Sequence, residues 1–470
     1  MSCVVITLAA ALCLSAMAPP NQADPLPPKS VDPQPSQLTV SPATRAASES
    51  ALKSLAAHPA WLRRMIATMR LERTGEVAVR ERLNALALDS DPRVRSSAIL
   101  ALARTGAPPI TLLAESEDDP RVIRTMLRCG WAVPADRVDR GARVLAKASE
   151  GTDRLLAVEL IGALEAQGRS DRKLTEFGKD TLASVIARLD RDDGGALSPR
   201  IAAITGARDT RVGWKWRSWL DRNRASMRID AAALIGPKVA VVQNAIAQLD
   251  DAAFVRFTAA LDELFRKPID LAVAIDCTAS MSAEIAAAQA GIDDLMRFVN
   301  AVTGGMRVAI VGFRDQQDEF QLMGWDFTTD PTEARTRLWK LSADGGGDEP
   351  EMVYEAMRMA YGKFTWRTEA QEVMVLIGDA PPHPGWGIRT VEMSQAAHAH
   401  GITTYVISAR AITKTEEVKH FPEIARMGGG RVIRLSERND LVAELAGIAL
   451  SDTWHDQIVG VFERYLQLCR

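Results

Sequence analysis

Hydrophobic positions along this chain follow two different periods, and the change falls near Lys267-Pro268. From about 46 to 265, Ala, Leu and Arg recur at helical spacing and strand signals are nearly absent, which predicts an all-helical segment. That segment echoes itself. Asp91-Pro92-Arg93-Val94 returns as Asp119-Pro120-Arg121-Val122, the series Asp91, Val94, Ala98, Leu102, Gly106 returns as Asp153, Leu156, Leu160, Leu164, Gly168, and Asp209, Arg211 and Val212 begin a further echo. A period of roughly 30 residues is the size of one helix-turn-helix unit in a solenoid. Within 91–106, Asp91 can cap the helix, Pro92 fits its first turn, Val94, Ala98, Ala101 and Leu102 form an apolar stripe, and Gly106 ends it.

Beyond Pro268, apolar runs alternate with helical patterns. Strands are expected at 269–276, 306–313, 319–327, 371–379, 402–408 and 431–435, with helices at about 281–302, 331–341, 350–364, 388–400, 417–427 and 438–450. Continuous apolar strands separated by helices predict an α/β fold with a doubly wound, mostly parallel six-stranded sheet. Only a short turn separates the second and third strands, so these should pair antiparallel with the third at an edge.

The ends of the chain have their own grammar. Cys3 to Ala18 is an apolar stretch closing on Ala16-Met17-Ala18, which predicts a secretory signal peptide over 1–18 and an exported protein, in the periplasm, cell envelope or outside the cell. A Pro-rich tether should follow over 19–45. The helical repeat domain is then expected at 46–266 and the α/β domain at 267–450. A C-terminal amphipathic helix at 451–470 has Trp454, Ile458, Val461, Phe462, Tyr465 and Leu466 on the side that docks back on the body. In Arg211–Arg224, Val212, Trp216, Trp219 and Leu220 fall on a core stripe and Trp214 lies off it, so packing explains the tryptophans better than base stacking.

Apolar residues at 47% and charged residues at 25% exclude a mainly disordered chain. A net charge of −3 offers no global footprint for nucleic acid or anionic lipid. Removal of the leader would leave Cys129, Cys277 and Cys469, an odd count that argues for reduced, buried thiols. The mature chain should hold no transmembrane segment.

Candidate chemistry gathers at strand ends, where open α/β sheets bind ligands. The first strand ends in Asp276-Cys277-Thr278-Ala279-Ser280, the fourth in Asp379-Ala380-Pro381-Pro382, and between them runs Asp344-Gly345-Gly346-Gly347-Asp348-Glu349-Pro350-Glu351. Alternate spacing lets Asp276, Thr278 and Ser280 converge while Cys277 and Ala279 point elsewhere. Only oxygen donors are offered, which suits a hard cation: Mg²⁺, with Mn²⁺ or Ca²⁺ as alternatives. No catalytic residue is identified.

The blocks AIDCTASMSAEI at 274–285, VGFRDQQD at 311–318, GGGDEPE at 345–351 and IGDAPPHP at 377–384 resemble von Willebrand factor type A domains, of the hemicentin and alpha-kinase-associated kind. The segment DPRVRSSAILALARTG at 91–106 resembles HEAT-type repeats. The first resemblance implies a metal-ion-dependent adhesion site built from Asp276, Thr278, Ser280 and Asp379, with Asp348 where many relatives carry a threonine. Asp315, Asp318, Asp344 and Glu349 become partner-contact candidates on its rim. Asp276, Asp348 and Asp379 around one divalent ion leave a local charge of about −1, which weakens attraction for a partner carboxylate. Asp348 then either fills the open ligand position or supports the site from behind.

The function expected is a non-enzymatic protein-interaction or adhesion protein, with the metal-dependent head on a helical scaffold whose concave face can take a second protein. One alternative is a Mg²⁺-dependent phosphohydrolase with Asp276 as nucleophile, although Thr278 stands where that chemistry needs a second acid. Another is a metal-free structural scaffold, whose melting temperature would ignore Mg²⁺ and chelator alike.

Overall fold

The computed structural model describes residues 41–469 apart from 74–76, 109, 149–150, 169–174, 188, 190–193, 209–212, 228–243, 265, 317, 319–320, 347–349, 410–416 and 436–440. The leader and most of the Pro-rich tether therefore lie outside the described residues, as does the echo at Asp209, Arg211 and Val212. Pro42–Arg470 pack as one compact unit.

Six strands form one sheet: β1 (Ile269–Asp276), β2 (Met306–Phe313), β3 (Leu322–Thr328), β4 (Gln371–Gly378), β5 (Thr403–Ser408) and β6 (Gly429–Arg434), in the order β3-β2-β1-β4-β5-β6. All pairings are parallel except β2 with β3, which sits at one edge as the short turn requires. Every residue of β1 is buried because helices cover both faces. Ala272 and Ala274 pack with the helices Val353–Lys363 and Phe421–Met427. Leu271, Val273 and Ile275 alternate to the opposite face, into a cluster that also holds Phe298, Phe462 and, far along the chain, Leu52 and Leu62.

That second cluster joins the helical half to the sheet. Among the described residues, Pro42–Leu264 forms helices and no strand. The helix Pro42–Ala56 starts four residues before the expected boundary at 46, with Pro42 in its first position, where a missing N–H costs nothing. Asp91 accepts a hydrogen bond from Arg93 N (2.9 Å), and Asp119 accepts from Arg121 N (2.8 Å) and Val122 N (3.3 Å). Both helices end alike, on Gly106 and Gly130 at positive φ, with Ala107 N reaching Leu102 O and Trp131 N reaching Met126 O. The echo at Asp153 differs. It lies inside the helix Gly151–Gly168 and pairs with Arg121 (2.6 Å) instead of capping. Asp119→Ala should therefore lower stability by about 1 kcal/mol in urea unfolding. Asp153→Ala, which breaks a part-exposed pair, should cost less than that. Equal losses would contradict the capping assignment.

The tryptophan segment packs as its spacing predicts. Trp216 is buried and donates to Ser198 Oγ (2.6 Å), Trp219 meets it edge-on, and Trp214 stays exposed. The C-terminal helix, His455–Cys469, docks between the two halves. Phe462 and Tyr465 pack on Phe298 of the helix Ser282–Val302 at 5.0 and 5.3 Å between ring centres, and Tyr465 also meets Trp61 at 6.1 Å. Cys129 and Cys277 are free thiols, and burial pushes Cys277 up to about 12.

Candidate metal centre

The chain leaves β1 for β2 on one side and returns past it to β4 on the other, so the strand order reverses between β1 and β4. Their carboxyl ends open the crevice where α/β sheets bind ligands. The register pairs Ile275 with Ile377, which brings Asp276 and the loop containing Asp379 out together.

The first loop folds on its own polar groups. Asp276 is fully buried, and its Oδ1 accepts from Thr278 N (2.8 Å) and Thr278 Oγ1 (2.7 Å). Thr278 Oγ1 lies 3.3 Å from Ser280 Oγ, and Ser280 is exposed. The predicted convergence of Asp276, Thr278 and Ser280 is therefore present. Cys277 points into the core, where its Sγ approaches Ile275 O at 3.4 Å, and its carbonyl accepts from Arg314 Nε (3.1 Å).

The glycine-rich loop closes over this turn. Asp344 N donates to Cys277 O (3.1 Å). Gly345 and Gly346 both take positive φ, and a β-carbon on Gly346 would stand 3.0 Å from Thr278 Cβ. On Gly345 it would collide with the Asp318 carboxylate at 2.1 Å. Only glycine permits both the conformation and the approach. Asp348 and Glu349 lie outside the described residues. Asp344 is exposed on the rim, and its carboxylate accepts from Gly345 N.

The two other rim candidates face inward. Asp315 is buried, with its Oδ1 2.9 Å from His383 Nε2, so it is not an open contact residue. Asp318 is half-buried and receives Gly346 N and Asp315 N, both at 3.3 Å. Neither His383 nor Glu351 is among the candidates that the sequence offers. Glu351 was expected near the start of a helix at 350, but the helix begins at Val353. Residue 351 instead bridges to Pro382, with Glu351 N donating to Pro381 O (2.9 Å). A glutamate four positions past the last glycine of the run, directly after Pro350, is the available signal.

Burial pushes the Asp276 carboxyl up to about 6; Thr278 acts against that rise, and Asp379 and Asp318 add to it. Burial pushes Glu351 up to about 9, helped by Asp276, Asp315, Asp318 and Asp379. Asp276 Oδ2 and Glu351 Oε2 are buried without a hydrogen-bond partner among the described residues. Orphaned carboxylate oxygens and adjacent hydroxyls are donor types that a hard divalent cation accepts. Among the described residues, no three His, Cys, Asp or Glu side chains are grouped to hold an ion by themselves. The hydroxyls of Thr278 and Ser280 would have to take part.

Residues 270–437 match the family model described as von Willebrand factor A domain. No curated protein matches the chain. Similar solved structures include the conserved hypothetical protein BatB of Bacteroides thetaiotaomicron, 17% identical over 43% of this chain and 98% of that one, with a TM-score of 0.29. Another is an aerotolerance-related membrane protein of Bacteroides fragilis carrying multiple mutations to serine, 17% identical over 42% and 99% of the two chains, with a TM-score of 0.27. No helix among the described residues is long and apolar enough to cross a membrane. The α/β part of this chain, over residues 270–437, is a von Willebrand factor A domain.

Proposed function

We propose that this protein is an exported, non-enzymatic interaction protein whose von Willebrand factor A domain recognises a protein partner in a divalent-cation-dependent way. The observation that carries the reading is the orphaned, fully buried Asp276 Oδ2 at the strand-order reversal, beside the paired hydroxyls of Thr278 and Ser280. Asp276, Thr278, Ser280 and Asp379 would hold the ion, with Mg²⁺ the natural occupant and Mn²⁺ or Ca²⁺ as substitutes. The bound ion would neutralise the acids that the rim surrounds. The helical array, HEAT-like in its repeated caps, serves as the scaffold and offers a second surface.

Titration calorimetry of the full mature chain with Mg²⁺ and Mn²⁺ tests this. The wild type should bind one ion at the site, and Asp276→Ala/Ser280→Ala should weaken it at least tenfold. Equal binding by both proteins would reject the site. The full chain is required because excising the domain would expose Phe298 and the sheet face beneath it.

A further inference from the structure

We infer that Glu351 is this protein's own acidic ligand to the cation, so that the metal shell is completed from within and the partner is recognised by the surrounding rim. This rests on the cation reading above and extends it to how the partner is met.

Residue 351 is stitched between two loops, with its N–H on Pro381 O after β4 and the next N–H, that of Met352, on Arg314 O after β2 (3.3 Å). This places residue 351 between the loops that follow β2 and β4, the two strands that flank β1. Glu351 is 2% exposed, so its carboxylate cannot reach outward. Oε1 lies 3.8 Å from the point where a β-carbon on Gly346 would sit, and that point is 3.0 Å from Thr278 Cβ. The carboxylate thus shares the small volume above Thr278 that the glycine loop encloses. Its other oxygen, Oε2, is buried with no hydrogen-bond partner among the described residues.

Lys, Arg or a hydroxyl beside Oε2 would have made Glu351 an ordinary buried structural acid. Instead it faces Asp276, Asp315, Asp318 and Asp379, all of its own sign. A buried, orphaned acid among like charges, Asp276 with its own orphaned oxygen included, must be neutralised, and a cation that both carboxylates bind does so while also giving Oε2 and Asp276 Oδ2 a partner. Asp276 and Glu351 on one divalent ion would already balance its charge, which leaves little attraction for a carboxylate from outside.

Mn²⁺ reports on this directly, because the water-proton relaxivity of the bound ion counts its inner-sphere waters. The full chain, Glu351→Ala, Glu351→Gln and Asp276→Ala/Ser280→Ala are compared with Mn²⁺ alone and then with added acetate. Glu351→Ala should bind Mn²⁺ at least tenfold more weakly and gain about one inner-sphere water, since each lost ligand is replaced by solvent. Acetate should displace that water in Glu351→Ala and leave wild type unchanged. Glu351→Gln keeps the shape and folding of the site and should weaken Mn²⁺ with the same sign. Unchanged hydration in Glu351→Ala, with or without an affinity loss, would overturn the inference, because a residue acting only through its charge does not alter the ligand count. Acetate binding to wild-type Mn²⁺ would overturn it too, since the shell would then be open. If those results came with binding abolished in Asp276→Ala/Ser280→Ala, the cation site would stand and Glu351 alone would lose its role. Absence of Mn²⁺ binding by wild type would reject both.

Discussion

Glu72→Ala is expected to lower the unfolding free energy by about 3–5 kcal/mol, the range for removing one partner of a buried ion pair. Glu72 follows the helix Trp61–Leu71 and sits where three distant parts of the chain meet. Its side chain is 5% exposed and is held by Arg464 of the C-terminal helix, by Arg104 at 3.1 Å and by Asn244 Nδ2 at 2.7 Å. Burial alone would raise this carboxyl, but Arg464 and Arg104 together hold it below the usual range. Arg464, 3% exposed, also donates to Ser97 Oγ (3.1 Å), which in turn bonds Thr68 Oγ1. Removing Glu72 takes the carboxylate away from two guanidinium groups in the seam between the helical array and the C-terminal helix. Urea unfolding checks it, with Glu72→Gln as a milder change that keeps part of the hydrogen bonding. Glu72→Ala/Arg464→Met should recover part of the loss, because the second change removes one uncompensated charge. A loss below about 1 kcal/mol for Glu72→Ala would show that the seam is solvated like a surface pair.

Asp270→Asn is expected to cost about 3 kcal/mol at neutral pH, at the other end of β1 from the candidate metal centre. Asp270 is fully buried and accepts from Arg307 Nε (2.9 Å), Arg367 Nε (2.9 Å), Arg367 Nη2 (2.7 Å) and Arg367 N (2.8 Å). Burial pushes this carboxyl up, but the bonds from Arg307 and Arg367 outweigh it and hold it below its ordinary 3.8. A carboxyl lowered in the folded state stabilises above its unfolded pKa, and that contribution is lost as pH falls through the folded value. The difference between wild type and Asp270→Asn should therefore stay level from pH 7 down to about 4, then shrink below it. Chemical denaturation across that range measures it. A difference that grows on acidification would contradict the ion-pair account.

Much of the α/β half is legible in the order of residues, because the period of its apolar positions is dictated by backbone geometry. Six strands, their helices, the antiparallel edge at β3 and the docking of the C-terminal stripe all follow from period and loop length. So does the convergence of Asp276, Thr278 and Ser280, since alternate residues of a strand end project the same way. The cap at Asp119 repeats that at Asp91 because Asp-Pro at a helix start has few other uses. The echo at Asp153 misleads, since composition alone does not say whether an acid precedes a helix or sits in its first turn.

Long-range packing decided the rest. Nothing in the chain order sets Glu351 among Asp276, Asp315, Asp318 and Asp379, since that depends on residue 351 lending its N–H to Pro381, thirty positions away in the sequence. Asp315 looks like a loop acid until His383, from another connection, is set against it. Arg464, at the far end of the chain, finds Glu72 only because both halves feed one hydrophobic cluster, and a charge in such a cluster must meet its opposite. Local pattern specifies which elements form. Which buried charges share a space is settled only when those elements come together and water leaves.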